Sequence, residues 1–314
     1  MILDLPRGSE VIMPSFGFVS LANAVAQSGG TCVFVDCDPT NMNISPESFA
    51  NAIGPKTKAV ITINYAGVSC DYEKIKAICS EGNLVLIEDN AHGLLSQLNG
   101  QPLGSFGDIS TFSFDRMKNF SCFEGGAILI KNKTLAGRYR EVSQYGTNRL
   151  DYLDKLTDKY EWVSIGTNAH LADPLTCILS RQFASSDKVL EAFQKSWANY
   201  LSLLRPLEED GLIKLSVIPS SSQHNGYMFW LKVNDPSKRD PLLAFLDLSG
   251  VTAAFHYTPL HSSKLGIQIG VFRGLDQFTT TGAASLIRLP LFYSITFEEI
   301  EFVASCINQF FKNH

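Results

Sequence analysis

The chain has 314 residues, of which 45% are hydrophobic and 18% charged, and its net charge is −5. These proportions are typical of a globular protein with room for one large and one smaller domain, and the acidic balance gives no basic surface for nucleic acid or an anionic membrane. Because no apolar run approaches the roughly 18 residues of a membrane-spanning helix and the N-terminus lacks a signal-peptide pattern, a cytoplasmic location is expected.

The first 130 residues alternate short apolar runs with amphipathic stretches. Strands are predicted at residues 11–13, 31–35, 59–63, 84–87 and 109–114, and helices at 18–27, 46–52 and 72–80. This alternation is typical of an α/β protein with a mostly parallel, doubly wound sheet. The run at 84–87 is apolar without alternation, which indicates a strand covered on both faces.

The pattern after residue 130 is first helical and then mixed. Helices are predicted at residues 133–145 and, as one long helix with Pro174 near its start, at about 172–204. From about residue 205, strands are predicted at 213–217, 227–233 and 252–256, and helices at 241–248 and 297–311. We therefore predict a large domain at residues 1–204 and a smaller α+β C-terminal domain at residues 205–314.

A lysine and a carboxylate follow two of the predicted strands. Lys118 comes after the strand at 109–114, and Asp89 follows the strand at 84–87. A buried lysine is stable when it is paired or when its pKa falls, and a neutral lysine is a nucleophile that forms Schiff bases. Because ligands of such sheets bind at the carboxyl ends of the strands, the pair predicts a site for pyridoxal 5'-phosphate (PLP), which needs a lysine and a carboxylate. A solvated loop lysine and a solvated strand end are the alternatives.

Several other chemistries are disfavoured. The chain has no G-x-G-x-x-G after its first strand, no G-x-x-x-x-G-K-[ST] and no G-x-S-x-G, which argues against the usual dehydrogenases, P-loop enzymes and serine hydrolases. Seven cysteines without C-x-x-C spacing suggest neither a disulfide framework nor a zinc site. His256 and His261 lack acidic or cysteine neighbours, so no metal site is predicted.

Two segments, IEDNAHG at residues 87–93 and TFSFDRMKNFSCFEGGAILI at residues 111–130, together resemble the DegT/StrS-type sugar-nucleotide aminotransferases, a branch of the fold-type I PLP enzymes. The resemblance continues through EVIMPSFGFVSLANAV, FVDCDPTNMNI, NYAGVSCDYEKI, YGTNR, FHYTPLH and RLPLFYS. Each motif alone is weak, but their order and spacing are specific and cover nearly the whole chain. The resemblance implies the aspartate aminotransferase-like fold of PLP-dependent transferases.

The resemblance also implies roles for residues around the cofactor. Lys118 would carry PLP and Asp89 would pair with its ring nitrogen. Phe18 would stack on the ring, His92 would hydrogen-bond the ring hydroxyl, and Ser113 would donate to the phosphate. Lys118 further argues against the related 3-dehydratases, which have histidine at that position.

Three further residues match the family less fully. Asn168 resembles an asparagine that reaches the phosphate in the neighbouring subunit, which implies a homodimer, although the family's arginine two residues later is His170 here and a helix-capping role is the alternative. Tyr257 and His261 match a segment near the sugar nucleotide. These three residues complete the predicted cofactor and substrate sites.

The branch of the family that this chain most resembles implies a particular reaction. An amino group would pass from L-glutamate to the 4-keto carbon of a dTDP-4-keto-6-deoxyhexose. The product would be dTDP-4-amino-4,6-dideoxygalactose, for a cell-surface polysaccharide such as enterobacterial common antigen or lipopolysaccharide.

Compared with the family, we expect this chain to lack an N-terminal segment whose helix-end turn binds the cofactor phosphate. Two hypotheses follow from that expectation. The chain is either a working aminotransferase, or an inactive remnant or non-catalytic binding subunit of such an enzyme.

Overall fold

A computed structural model of the chain describes residues 1–313, which form a large central sheet, two smaller sheets and helices. The strands, in chain order, are β1 (Glu10–Pro14), β2 (Thr31–Val35), β3 (Thr57–Ile63), β4 (Val85–Asp89), β5 (Gln97–Leu98), β6 (Gln101–Pro102), β7 (Ile109–Ser113), β8 (Gly126–Ile130), β9 (Ile213–Leu215), β10 (Ser222–Gln223), β11 (Trp230–Val233), β12 (Ala254–Phe255), β13 (Gly270–Phe272) and β14 (Leu286–Arg288).

The α-helices, in chain order, are α1 (Val19–Gln27), α2 (Pro46–Asn51), α3 (Tyr72–Gly82), α4 (Lys133–Val142), α5 (Arg149–Leu153), α6 (Asp173–Phe183), α7 (Ser186–Glu209), α8 (Arg239–Leu248), α9 (Gly266–Ile269), α10 (Thr279–Ser285) and α11 (Phe297–Asn313). Within residues 1–313, no helix is both long and apolar enough to cross a membrane.

The central sheet has the strand order β13-β2-β1-β3-β4-β7-β8. Every neighbouring pair is parallel except β7 and β8, which are antiparallel. The predicted α/β fold with a mostly parallel sheet is confirmed. Parallel pairing brings the carboxyl ends of β4 and β7 to the same edge of the sheet, which is where ligands of such sheets bind.

Helices cover both faces of this sheet, as the alternating side chains of β1 show. Val11 and Met13 lie in one apolar cluster with Leu21 of α1, whereas Ile12 lies in another with Phe49 of α2. Successive side chains of a strand point to opposite faces, so a strand buried on both sides must be apolar throughout. This explains why the strands of this region have near-continuous apolar sequences.

The long helix predicted at residues 172–204 is wrong, because the chain forms two helices there. Helix α6 ends before Ala184, and Ser185 has the non-helical angles φ −122° and ψ 23° that separate α6 from α7. Phe183 at the end of α6 stacks on Phe120, with 5.2 Å between ring centroids. The end of α6 therefore packs against the loop that carries Lys118, and the break after it was not predicted from the helical pattern.

A second, antiparallel sheet lies in the C-terminal part of the chain, with the order β12-β14-β11-β9. Its core with α7, α8 and α11 includes Tyr200, Phe229, Leu246 and Ile307. Strand β13, although it comes late in the chain, joins the central sheet beside β2. Residue 204 lies inside α7, and the division of the chain at that residue stays a prediction.

Glu88, the residue before Asp89, anchors β4 to the neighbouring loop. Its carboxylate is fully buried and accepts five hydrogen bonds. The donors are the Asn64 amide, the backbone N–H groups of Gly104, Phe106 and Gly107, and the Ser110 hydroxyl. Both carboxylate oxygens are occupied, so Glu88 fixes the end of β4 and is not free for chemistry.

We expect Glu88→Gln to lower the free energy of unfolding by about 3 kcal/mol, because the amide NH₂ would face N–H donors and leave them unpaired. Equilibrium urea denaturation followed by circular dichroism measures this change. Glu81→Gln, at an exposed position in α3, is the control and should leave stability unchanged. Equal stability of the two variants would show that the Glu88 hydrogen bonds do not anchor β4.

Candidate active site

Strand register places Asp89 and Ser113 on the same face of the sheet at its carboxyl edge. Asp89 at the end of β4 pairs with Thr111 of β7, and Ser113 follows two residues later. Side chains two residues apart on a strand point the same way. The loop that leaves β7 then carries Lys118, and a small pocket at this edge is lined by Ser113, Lys118 and His92 among others.

The Lys118 amine is largely withdrawn from water at this edge. Its Nζ lies 5.3 Å from the centroid of the Tyr227 ring, within the range of a cation–π contact. Burial lowers the pKa of Lys118 to about 8, an effect that Arg288 strengthens and that Asp89 and Asp115 oppose. A lysine with this pKa is partly neutral near physiological pH and can act as a nucleophile or a base.

Asp89 supplies a carboxylate at the same edge of the sheet. Its Oδ1 accepts a hydrogen bond from the Ala91 N–H at 2.9 Å, and within residues 1–313 its Oδ2 has no hydrogen-bond partner. Burial raises the pKa of Asp89, whereas the Ala91 N–H and the charge of Lys118 lower it. One carboxylate oxygen is therefore open to accept a proton or hydrogen bond from a ligand.

His92 lies between this edge and the turn after β3. Its Nδ1 accepts from the Ala66 N–H at 3.4 Å, and its ring lies 4.9 Å from the ring of Tyr227. Burial lowers the pKa of His92 well below its usual value, and the charges of Lys118 and Arg288 add to this effect. His92 is thus a neutral imidazole with hydrogen-bonding capacity.

Asn225 joins the C-terminal part of the chain to the His92 loop. Its buried amide nitrogen donates to the His92 and Leu94 carbonyls at 2.8 and 2.9 Å, and its Oδ1 accepts from the Tyr227 N–H at 3.0 Å. Gly67, at φ +80°, allows this contact, because a Cβ there would lie 2.3 Å from the Asn225 Oδ1. Asn225 thereby places the Tyr227 ring beside Lys118.

Three side chains of the C-terminal part complete the cleft. His256 and Tyr257 stack with 4.1 Å between centroids and 11° between planes. The His256 Nδ1 lies 3.2 Å from the Tyr65 hydroxyl, and its Nε2 lies 3.3 Å from Nη1 of Arg288. Burial and the neighbouring Arg288 lower the pKa of His256 to about 3, so it too is neutral.

Phe18 and Ser113 lie at the margins of the cleft. Phe18 precedes α1, is 59% exposed, and its ring centroid is 6.2 Å from that of Tyr257. The Ser113 hydroxyl oxygen accepts from the Asp115 N–H at 3.4 Å, which leaves its own proton available. The structure therefore brings together Lys118, Asp89, His92, Ser113, Phe18 and Tyr257.

Two predicted site residues have their contacts elsewhere. His261 bonds Ser15 through Nδ1 at 2.6 Å and faces Asp276 through Nε2 at 3.3 Å. Asn168 is exposed and accepts a bond from the His170 N–H at 3.4 Å, a local turn contact. Within residues 1–313, neither side chain bonds Lys118 or Asp89, and no three histidine, cysteine or acidic side chains are grouped to hold a metal.

Sequence reasoning missed several residues of the cleft. These are Tyr65, Asn225, Tyr227, His256 as a neutral site residue, and Arg288. The motifs that contain Arg288 and His256, RLPLFYS and FHYTPLH, were recognised in the sequence. Their position in the cleft was missed, because it depends on the pairing of β14 with β11 and β12, which no local sequence pattern predicts.

A mostly parallel sheet whose carboxyl edge carries a partly neutral lysine and a carboxylate with one open oxygen is typical of PLP-dependent aminotransferases. The model of the DegT/DnrJ/EryC1/StrS aminotransferase family matches residues 1–308. The chain belongs to this family of sugar aminotransferases, and its cofactor is PLP.

Individual proteins agree with this assignment. The "Pleiotropic regulatory protein" of Geobacillus stearothermophilus is 31% identical over 308 residues, which cover 98% of this chain and 79% of that protein. The dTDP-4-dehydro-2,3,6-trideoxy-D-glucose 4-aminotransferase of Saccharopolyspora spinosa is 28% identical over 320 residues, which cover 100% of this chain and 81% of that protein. The crystal structure of the aminotransferase TlmJ from Streptoalloteichus hindustanus matches with a TM-score of 0.90 at 27% identity. The match covers 99% of this chain and 81% of TlmJ.

The residues of the cleft fit this cofactor. The amine of Lys118 can react with an aldehyde, and the open oxygen of Asp89 can accept from a ring N–H. His92 is neutral and therefore suited to bond a ring hydroxyl, and the Ser113 hydroxyl can donate to a phosphate. The donor set thus matches the functional groups of PLP.

The pKa of Lys118 leads to a prediction for the cofactor-free protein. We expect the rate at which Lys118 captures PLP to rise with pH around a midpoint near 8, because only the neutral amine attacks an aldehyde. Asp89→Asn should move the midpoint lower, since the carboxylate charge favours the ammonium form. Reductive trapping at a series of pH values, followed by peptide mass analysis, measures the rate.

Lys133→Ala, at an exposed position at the start of α4, is the control and should leave the midpoint unchanged. Capture by Lys118 with a midpoint near the ordinary lysine value of about 10.4 would contradict the burial argument.

Proposed function

We propose that this protein transfers an amino group from L-glutamate to the 4-keto carbon of a dTDP-4-keto-6-deoxyhexose and so forms dTDP-4-amino-4,6-dideoxygalactose. The observation that carries the proposal is the lowered pKa of Lys118 opposite the open carboxylate oxygen of Asp89 in a chain of this family. The relative from Saccharopolyspora spinosa, named as a 4-aminotransferase of a dTDP-linked dehydro sugar, supports a substrate of this class.

In this proposal Lys118 has two tasks. Its Nζ would hold the cofactor through the aldehyde. Once released, the amine would move the proton between the α-carbon of the amino acid and the aldehyde carbon of the cofactor, first as a base and then as an acid. PLP, when bound, supplies an electron-withdrawing ring for the negative charge that develops. With a pKa near 8, the neutral fraction of the amine at pH 7 is about one tenth, roughly 300-fold more than at a pKa of 10.5.

The neighbouring side chains hold the reacting groups in place. With PLP bound, Asp89 Oδ2 would keep the ring nitrogen protonated, and the buried position of the carboxylate would strengthen its effect on that nitrogen. His92 would bond the ring hydroxyl, Ser113 would donate to the phosphate, and Phe18 would cover one face of the ring. These contacts would fix the ring relative to Lys118, which is the main contribution of a protein to a cofactor reaction.

The sugar nucleotide would enter past Tyr257 and His261. Tyr257 lies between the exposed Phe18 ring and the neutral His256, which gives an aromatic wall of the kind that binds a sugar or base. His261 hydrogen-bonds Ser15, the residue that directly follows β1. The product would serve cell-surface polysaccharide synthesis, in enterobacterial common antigen or lipopolysaccharide, from the cytoplasm.

We also propose that the protein is a homodimer. Residues 145–165 carry exposed apolar side chains, among them Trp162 and Ile165, which are each 77% exposed. Exposed apolar side chains that follow one another closely in one segment are typical of a protein interface. Asn168 comes three residues after Ile165, is exposed, and would reach the cofactor phosphate of the partner subunit.

Activity is tested with purified protein, PLP, L-glutamate and dTDP-4-keto-6-deoxyglucose. We expect the visible absorption band of lysine-bound PLP and an aminated product whose galacto configuration gives small proton couplings at C4 in the NMR spectrum. Lys118→Ala should abolish both, and Asp89→Asn should retain the lysine linkage but lower kcat at least 100-fold, because the ring nitrogen loses its charge partner.

Lys131→Ala, with its amine outside the cleft, is the control. A wild-type chain without the absorption band would favour the inactive remnant or binding subunit. A band without amination of the dTDP sugar would exclude the proposed substrate alone.

The dimer is tested by light scattering. We expect a mass near twice 34.6 kDa for the wild type. Trp162→Glu combined with Ile165→Glu should give a monomer, because buried charge opposes association. Leu248→Glu, at another apolar side chain that is 88% exposed, should remain a dimer. Asn168→Ala should stay dimeric and bind PLP more weakly, and unchanged PLP affinity would remove Asn168 from the site.

A further inference from the structure

The loop between β7 and β8 carries Lys118 and is held by other elements on each side of that residue. Before Lys118, the Met117 carbonyl accepts a hydrogen bond from the Tyr227 hydroxyl at 3.1 Å. After it, the Ser121 N–H donates to Oε1 of Gln182 at 2.9 Å, and the Ser121 carbonyl accepts from Nε2 of the same side chain. The residue that bears the amine therefore lies between two anchor points.

Gln182 supplies hydrogen bonds that the loop does not make for itself. Backbone hydrogen bonds within the loop are donated by the N–H groups of Lys118 and Cys122. For the stretch between these two residues, the hydrogen bonds to elements outside the loop, over the described residues 1–313, are the two with Gln182. Polar contact between α6 and the backbone that follows Lys118 thus depends on one side chain.

Gln182 lies on the face of α6 that packs against this loop. Leu175 and Leu179, on the same helix, pack in the apolar cluster that contains Phe120 of the loop. Positions 175, 179 and 182 have the spacing of one helix face, so an apolar residue is expected at position 182. A half-buried amide at such a position is unfavourable unless both of its ends are paired, and the Ser121 backbone pairs both.

We propose that Gln182 is a positioning residue for Lys118, a role that rests on Lys118 as the residue that binds the cofactor. A carboxamide can accept from an N–H and donate to a carbonyl at the same time, so it pairs with Ser121 as a neighbouring antiparallel strand would. This pairing fixes the backbone three residues after Lys118, and thereby the depth at which the amine lies in the cleft.

The depth of the amine matters because burial is the largest effect on the pKa of Lys118, which it lowers to about 8. Ionisable groups from the sheet, the loop and the C-terminal part act on the amine or lie beside it: Asp89, Asp115, Arg288, Tyr227, and the neutral His92 and His256. None of these groups lies on α6. Gln182 therefore acts on the amine by holding the loop, and a loop that moves outward would raise the pKa of Lys118.

The test uses the cofactor-free full chain. Trace acetylation with acetic anhydride over a series of pH values, followed by peptide mass analysis, gives the midpoint at which Lys118 becomes neutral, because only the neutral amine reacts. Hydrogen exchange gives the protection of the Ser121 N–H. Gln182→Met keeps the length and helix propensity of the side chain and removes both hydrogen bonds. It should raise the midpoint by about one pH unit, which leaves about tenfold less neutral amine at pH 7, and should speed Ser121 exchange roughly 10-fold.

Gln268→Met is the matched control and should change neither quantity. The Gln268 amide also donates to a backbone carbonyl, that of Lys264 at 3.1 Å, but it lies at an exposed position of α9. Gln182→Asn keeps the amide on a side chain that is one methylene shorter and cannot hold Ser121 at the same place. It should raise the midpoint by a smaller amount than Gln182→Met, and it decides the question if Gln182→Met does not fold.

A folded Gln182→Met whose Lys118 midpoint is unchanged would show that Gln182 is only a structural contact, and would overturn the proposal. Unchanged exchange of the Ser121 N–H would overturn it as well, because the pairing would then not be made in solution. A wild type that captures no PLP at Lys118 would refute the cofactor role of that lysine, whereas the midpoints, measured without cofactor, would still decide whether Gln182 positions the amine.

Discussion

The site depends on the balance between burial and charge at the Lys118 amine. Burial alone would make the amine neutral, whereas full exposure would leave it protonated and unreactive toward an aldehyde. Asp89 and Asp115 oppose the effect of burial, and Arg288 supports it, so that the pKa settles near 8. A lysine that is neither fully charged nor fully neutral can both react with an aldehyde and return a proton.

Two neighbouring carboxylates on β4 have different roles, one in holding the strand in place and one in the proposed site. Glu88 points to one face of the sheet, where five donors occupy it, and Asp89 points to the other, where one oxygen remains open. The two-residue period of a strand makes this division possible over a single step of the chain. Because Glu88 anchors β4, Asp89 is held at a fixed distance from the loop that carries Lys118.

The C-terminal part of the chain turns this edge into a cleft. Asn225 binds the His92 loop and places Tyr227 beside Lys118, while β14 brings Arg288 next to His256. The two histidines are neutral because burial and the nearby positive charges lower their pKa values. The cleft therefore concentrates its charge in one amine, one guanidinium and the aspartates.

The sequence by itself determined the parallel sheet, because apolar periodicity identifies strands. It also predicted that Asp89 and Lys118 follow two strands that share one carboxyl edge. It did not determine the break between α6 and α7, where Phe183 packs on Phe120. Only the tertiary structure decided that Tyr227, His256 and Arg288 face Lys118, more than a hundred residues earlier in the chain. Contacts over such separations depend on the packing of whole sheets against each other, and no local pattern of residues encodes that packing.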